Sequence, residues 1–302
     1  MIFLLFDEPF LNFLMPFMRQ NVFSFITITA LLILAGGCKK PPEFLPCEGA
    51  SFPSDMKCIP GGPFLRGSNS PGMEEDTHKS IGDESPQESV VLDTFYLDTY
   101  EVTYAQYQDC VHAKGCSPAG PVYKDYDGPG MPMLGLNWFQ ARDYCHWKNR
   151  RLPTEAEWEK ASRGEKGDLY PWGNEPSTCE RAIIQENGVK GCGTGKTWKV
   201  GSRPAYRYGL FDMAGNAWEW VNDWYSESYT ACGESCRGRN PQGPCQGNDA
   251  CPGHEKKMVK GGAWWWDGEY SRASNRRAHF PINQPYHHFG FRCAMDAPRP
   301  EK

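Results

Sequence analysis

Thirteen cysteines in 302 residues constrain this chain more than any other feature. One of them, Cys38, follows an apolar run after two glycines. The other twelve are Cys47, Cys58, Cys110, Cys116, Cys145, Cys179, Cys192, Cys232, Cys236, Cys245, Cys251 and Cys293. An even, high count in an exported chain reads as a disulfide framework. A zinc site would need clustered Cys-x-x-Cys pairs, and the sequence has none. The densest group, Cys232, Cys236, Cys245 and Cys251, has spacings of four, nine and six. Those spacings suit a stapled loop better than a tetrahedral metal site, and the pairing within the group stays open.

The cysteine reading depends on export, and the N-terminus supplies the argument for it. Val22–Ala35 (VFSFITITALLILA) is an apolar run of signal-peptide length, preceded by Met18-Arg19 and followed by Gly36-Gly37-Cys38. Small residues before a cysteine resemble a lipobox, after which Cys38 would carry lipid as the first residue of the mature chain. The pattern prefers Leu three places before the cysteine, where this chain has Ala35. Asp7 and Glu8 suit a signal n-region badly, so translation is expected to start at Met18, within a signal segment 1–37. The other reading is a permanent transmembrane anchor, for which the run is short. Lipidation implies a cell-envelope lipoprotein with the membrane as partner through its anchor. Lys39 stands where an Asp would retain it in an inner membrane, which favours the outer one.

Beyond the anchor, 38–55 forms the lipidated Cys and a Pro-rich tether, 56–296 a folded domain and 297–302 a tail. Ser68–Ser89 is polar and acidic and is expected to be a mobile loop. Val90–Tyr107 reads as a strand leading into a helix, with Thr103 as N-cap. Trp138–Lys148 has apolar residues at helical spacing. Thr154 and Glu157 form a capping box that opens a helix through Arg163, on which Glu155, Glu157 and Glu159 are expected to form a solvated face. The sequence holds 32 glycines and 25 prolines, so irregular backbone should dominate between these elements. The expectation is one α+β domain with two helices. A net charge of −5 and the lack of any basic run argue against a nucleic-acid partner. The seven histidines have no HExxH or facial-triad spacing, and His287-His288 reads as a surface or packing pair.

Several longer segments now matter together. They are Cys58-Ile-Pro-Gly-Gly-Pro-Phe with Arg66-Gly-Ser, Arg151-Leu-Pro-Thr-Glu-Ala-Glu-Trp-Glu-Lys-Ala, and Tyr170-Pro-Trp-Gly-Asn. After them come Tyr208-Gly-Leu-Phe-Asp-Met-Ala-Gly-Asn-Ala-Trp-Glu-Trp-Val, Val259-Lys-Gly-Gly-Ala-Trp and Gly290-Phe-Arg-Cys-Ala. From Met56 to Met295 the chain resembles the formylglycine-generating-enzyme, or sulfatase-modifying-factor, family. The resemblance implies a single compact α+β domain, a variant of the C-type-lectin-like fold with low secondary-structure content. Active members bind Cu(I) through two cysteines and oxidise a cysteine of a sulfatase, soft thiolates suiting a soft ion. The matching positions here are Trp266 and Ser271, and Ala263 replaces the serine of the family's oxygen pocket. Copper is therefore not expected.

The resemblance also implies a Cys145–Cys293 disulfide. A second bridge of animal members is ruled out by Arg276. Cys110–Cys116, Cys179–Cys192 and Cys47–Cys58 are expected as further local staples. One family calcium site maps to the Asp212 and Glu219 side chains with the Gly215 and Ala217 carbonyls, hard oxygen donors for a hard cation. The other is damaged at Ile183. Trp264, Trp265 and Trp266 either pack in the core or line a cleft that grips a peptide or sugar. The functional expectation is a non-catalytic, lipid-anchored domain that binds or scaffolds an envelope protein, peptide or glycan. The alternative is an oxidoreductase of the same family, acting on a protein cysteine or another substrate with a metal.

Overall fold

A computed structural model describes residues 44–70, 82–282 and 287–298. The expected signal segment and Cys38 lie outside the described residues. Strands β1 (Met56–Ile59), β2 (Gly62–Arg66), β3 (Glu88–Leu92) and β4 (Phe95–Asp98) come first, followed by helices α1 (Tyr104–His112), α2 (Trp138–Trp147) and α3 (Glu155–Arg163). The second half carries β5 (Trp218–Trp224), the single turn α4 (Tyr229–Cys232), β6 (Lys257–Lys260), β7 (Arg277–His279), β8 (Phe289–Phe291) and β9 (Ala294–Asp296). Three small sheets result, with orders β1-β4-β9, β2-β3 and β7-β6-β5-β8. Regular elements are few and short, giving a mixed α/β domain dominated by turns. Among the described residues no helix is long and apolar enough to cross a membrane.

Local chemistry explains the helix starts. Thr103 accepts the Gln106 amide while the Gln106 side chain returns to the Thr103 N–H; Asn137 with Gln140 and Thr154 with Glu157 repeat that reciprocal cap. Among the described residues there are three multi-turn helices where the sequence reading had two. The expected strand before α1 is also two strands, β3 and β4, broken at Asp93-Thr94 and placed in different sheets. The break is fixed from outside: Asn240 Oδ1 accepts the Asp93 N–H, and Thr94 donates to the Leu45 carbonyl.

Two expectations fail for a shared reason. The segment Ser68–Ser89 was expected to be a mobile loop, but where it is described it belongs to the body. Asp83 and Glu84 are buried, Glu84 holds Arg272 bidentately, and β3 begins at Glu88. Glu155, Glu157 and Glu159 were expected to face solvent, but every residue of α3 is buried. Their charges are met by partners both near and far in sequence. Arg276 and Lys260 reach Glu155, Arg163 and Lys260 reach Glu159, and Arg151 clasps Glu157 with two bonds of 2.7 and 2.6 Å. Lys160 Nζ donates to the Pro60 and Gly62 carbonyls at 2.7 and 3.0 Å. Buried charges persist only when paired in this way.

Six disulfides join Cys47–Cys58, Cys110–Cys116, Cys145–Cys293, Cys179–Cys192, Cys232–Cys236 and Cys245–Cys251. All twelve cysteines among the described residues are therefore oxidised, and the dense group pairs with its nearest neighbours. Cys145–Cys293 spans 148 residues and ties α2 to the turn between β8 and β9. A loop that long gives roughly 4–5 kcal/mol in the chain-entropy model.

Candidate functional site

The site region is built from the Gly261-Gly262 turn after β6. Both glycines have positive φ, 97° and 75°. A Cβ on Gly262 would lie 2.6 Å from Ser271 Oγ and 3.0 Å from its Cα, so glycine is what lets this turn pack against Ser271. The turn sends the three following tryptophans to three environments. Trp264 is buried in the main core, where its Nε1 donates to the His287 carbonyl at 3.2 Å. Trp265 is 41% exposed, and Lys190 Nζ sits 2.8 Å from its ring centroid. Trp266 lies between these extremes, half-buried, with its N–H donating to the Ala263 carbonyl. The expected choice between core and cleft is thus divided within the triplet.

Trp266 meets His288 edge-on at 4.7 Å between centroids and Trp218 at 6.0 Å. The Arg277 guanidinium lies over both indoles, 4.7 Å from Trp266 and 5.3 Å from Trp218. His288 also touches Trp264 and Trp265. Burial pushes its pKa down to about 3, and the neighbouring His287, Arg277 and Lys190 push the same way. It is therefore uncharged at neutral pH. The surface continues through His287 to Tyr123 and Tyr126. The sequence marked the tryptophan triplet, but it offered no periodicity or motif tying Tyr123, Tyr126 or Lys190 to it.

Several buried polar atoms of this corner lack partners, as do others elsewhere, such as Arg66 Nε and Asp83 Oδ1. Five tryptophans are fully buried: Trp138, Trp158, Trp218, Trp220 and Trp264. Four of them donate Nε1, to the Val221 carbonyl, Glu219 Oε2, the Leu136 carbonyl and the His287 carbonyl respectively. Trp218 Nε1 has no partner among the described residues, and neither do His288 Nδ1 or Ser271 Oγ. Unmade hydrogen bonds on buried groups cost about 1–3 kcal/mol each. Ser271 and Ala263 are themselves fully buried. With an indole at 266 and a hydroxyl at 271, and every described cysteine oxidised, the residues present do not fit a thiolate-bound copper ion.

The expected calcium residues lie at the start of β5. Asp212, at φ 56°, accepts the Gly201 N–H on Oδ2 at 2.6 Å. Gly215 donates to the Gly261 carbonyl, and its missing Cβ makes room for the Ile183 carbonyl at 2.5 Å. Glu219 is held bidentately by Arg292 at 2.7 Å on each oxygen and also accepts Trp158 Nε1. One carboxylate was not anticipated. Glu101 is buried and accepts Asn216 Nδ2 at 2.6 Å and the Ala217 N–H at 3.1 Å. Burial, then the charges of Asp212 and Glu219, push its pKa well above the usual range. Asp212 rises to about 6, chiefly by burial. Arg292 lies near all three carboxylates, and Arg203 also faces Asp212. The donors are all oxygen, the kind a hard cation takes, but no cluster of three or more acidic, histidine or cysteine side chains among the described residues is arranged to hold a metal ion. Arg292 already claims part of Glu219, so that residue has only its remaining lone pairs to offer.

A family model described as the sulfatase-modifying factor enzyme 1-like domain matches residues 47–297. The chain is 30% identical to the formylglycine-generating enzyme of Bos taurus, over 84% of this chain and 78% of that one. It is 27% identical to the inactive C-alpha-formylglycine-generating enzyme 2 of Mus musculus, over 82% and 87%. Among solved structures, PvdO from Pseudomonas aeruginosa superposes with a TM-score of 0.62 at 24% identity, covering 80% of this chain and 94% of that one.

Proposed function

This chain belongs to the sulfatase-modifying-factor family, and within it we propose a non-catalytic binding or scaffolding domain, lipid-anchored through Cys38 at the cell envelope. The observation that carries the reading is the loss of thiol chemistry. Trp266 and Ser271 occupy the copper positions that the family resemblance implies, and the twelve described cysteines are committed to disulfides. The mouse relative whose name calls it inactive is a precedent for keeping the scaffold without the activity. The binding surface would be the aromatic corner of Trp265 and Trp266, flanked by Lys190 and Tyr123. Its exposed indole and its unsatisfied buried donors favour an occupant with both apolar faces and polar groups.

Calcium would be held by Asp212 and Glu219 with the Gly215 and Ala217 carbonyls, joined by Glu101. Its role would be structural, neutralising buried carboxylates behind the Gly261-Gly262 turn. Metal analysis of the purified full chain should find about one calcium and neither copper nor iron. Stoichiometric copper, or conversion of the cysteine in a sulfatase-type peptide to formylglycine, would overturn the reading and favour the oxidoreductase alternative. For the anchor, labelling cells with palmitate should mark the chain, and Cys38→Ser should abolish the label and release the chain from membranes. A labelled or membrane-retained Cys38→Ser variant would sink the lipid assignment.

A further inference from the structure

A second cavity, of about 870 Å³, shares no lining residue with the aromatic corner. It opens between the Phe44-Leu45 segment, the β3–β4 break and the segment after β9. Its floor is apolar, made by Leu92, Phe95 and Leu152, each about 1% exposed. Its rim is polar and carries two arginines, three carboxylates and the amides of Asn222, Asn240 and Gln242. We propose that this cavity is a binding site for a neutral oligosaccharide.

The chemistry narrows the ligand by elimination. An anion would need a cation to meet it. Arg151 is already clasped by Glu157 and paired with Asp296, and Arg239 is paired with Asp93. An extended peptide would need an open strand edge. The edge of β3 is closed, because Val91 exchanges backbone hydrogen bonds with Gly238 and Asn240, and Asn240 Oδ1 takes the Asp93 N–H. A purely apolar ligand would strand the rim of carboxylates and amides without water. A sugar chain satisfies each constraint. Its C–H faces suit the floor and the Phe44 ring, which carries Arg239 5.2 Å above it. Its hydroxyls both donate and accept, and the rim provides for both. Asn222 retains its Oδ1 after donating to the Gly247 carbonyl, and the Gln242 side-chain amide has no partner among the described residues, while the ion-paired carboxylates keep only their remaining lone pairs. The volume lies in the range of ordinary ligand pockets.

The test uses the full chain, solubilised in a detergent without a sugar headgroup. The probes are maltotetraose and the tetrasaccharide of N-acetylglucosamine, followed by saturation-transfer NMR and calorimetry. At least one probe should bind saturably. Gln242 is exposed, so Gln242→Trp should fill the cavity without unfolding the chain and abolish binding. Gln242→Ala should weaken binding by about tenfold, the effect of losing one good hydrogen bond. Trp265→Ala should leave it unchanged, separating this site from the aromatic corner. Absence of saturable binding of either probe up to about 10 mM, or undiminished binding by Gln242→Trp, would overturn the proposal.

Discussion

The surroundings of α3 and the aromatic corner treat their buried polar groups differently. Around α3, charged groups are taken out of water and nearly all are matched. Glu155 faces Arg276 and Lys260, Glu159 faces Arg163 and Lys260, and Glu157 faces Arg151. Around Trp266, few charges are buried, yet Trp218 Nε1, His288 Nδ1 and Ser271 Oγ are left without partners. Around α3 the exceptions are single atoms of charged groups, such as Arg66 Nε and Asp83 Oδ1, whose other polar atoms are paired. Under the binding role proposed above, the unpartnered groups beside the exposed Trp265 indole are what an occupant would complete.

The contrast can be broken most forcefully at Arg276. Replacing it by Met should leave the Glu155 carboxylate with only Lys260 and the Tyr229 hydroxyl and destabilise the domain by roughly 3–5 kcal/mol, read by denaturant unfolding with disulfides intact. A loss under about 1 kcal/mol would mean the network behaves like surface charge. The same substitution at two buried tryptophans sharpens the point. Trp158→Phe removes a hydrogen bond to the Glu219 carboxylate and should cost roughly 1.5–3 kcal/mol beyond the lost ring volume. Trp218→Phe removes a donor that has no partner, so it should be cheaper by that margin, and equal costs would argue that a water satisfies Trp218.

The two regions should also fail at different pH. His288 has a depressed pKa, about 3 against an ordinary 6.5. The unfolded chain therefore binds more protons in that window, and this contribution to stability is lost as pH falls below 6.5. For Glu155, burial alone would raise the pKa, but Arg276 and Lys260 outweigh it and hold it down to about 2 against 4.5. Its contribution is lost only as pH falls below 4.5. Buried acids with raised values, such as Asp223 at about 7, act with the opposite sign, so the measurement is a difference. Wild type minus His288→Phe should lose stability between pH 6.5 and 4.5, and a flat difference would refute the assignment. The smallest expected effect is at Trp265. Its alanine variant gives up an exposed ring under Lys190 and should change stability by no more than about 1 kcal/mol, while reducing partner capture from envelope extracts. A large stability loss there would make Trp265 a core residue.

Much of the scaffold could be read from local signals, because caps are local chemistry. Thr103 and Thr154 announce their helices within three residues. The burial of α3 could not be read that way. Three glutamates in one turn look like a wet face until Arg276, more than a hundred residues later, is seen to return to them. The same limit hid Glu101 from the calcium reading, since its partners Asn216 and Ala217 lie in another motif. At the aromatic corner the triplet itself was conspicuous. How it divides among core, surface and the space between depends on the Gly261-Gly262 turn and on Lys190, which no spacing rule connects to it.

The second cavity has a topological consequence. Phe44-Leu45 and Ala297-Pro298 line the same hollow, so the chain enters and leaves the domain at nearly one point. A body whose two ends meet can be spliced into an exposed loop of a host protein without stretching either.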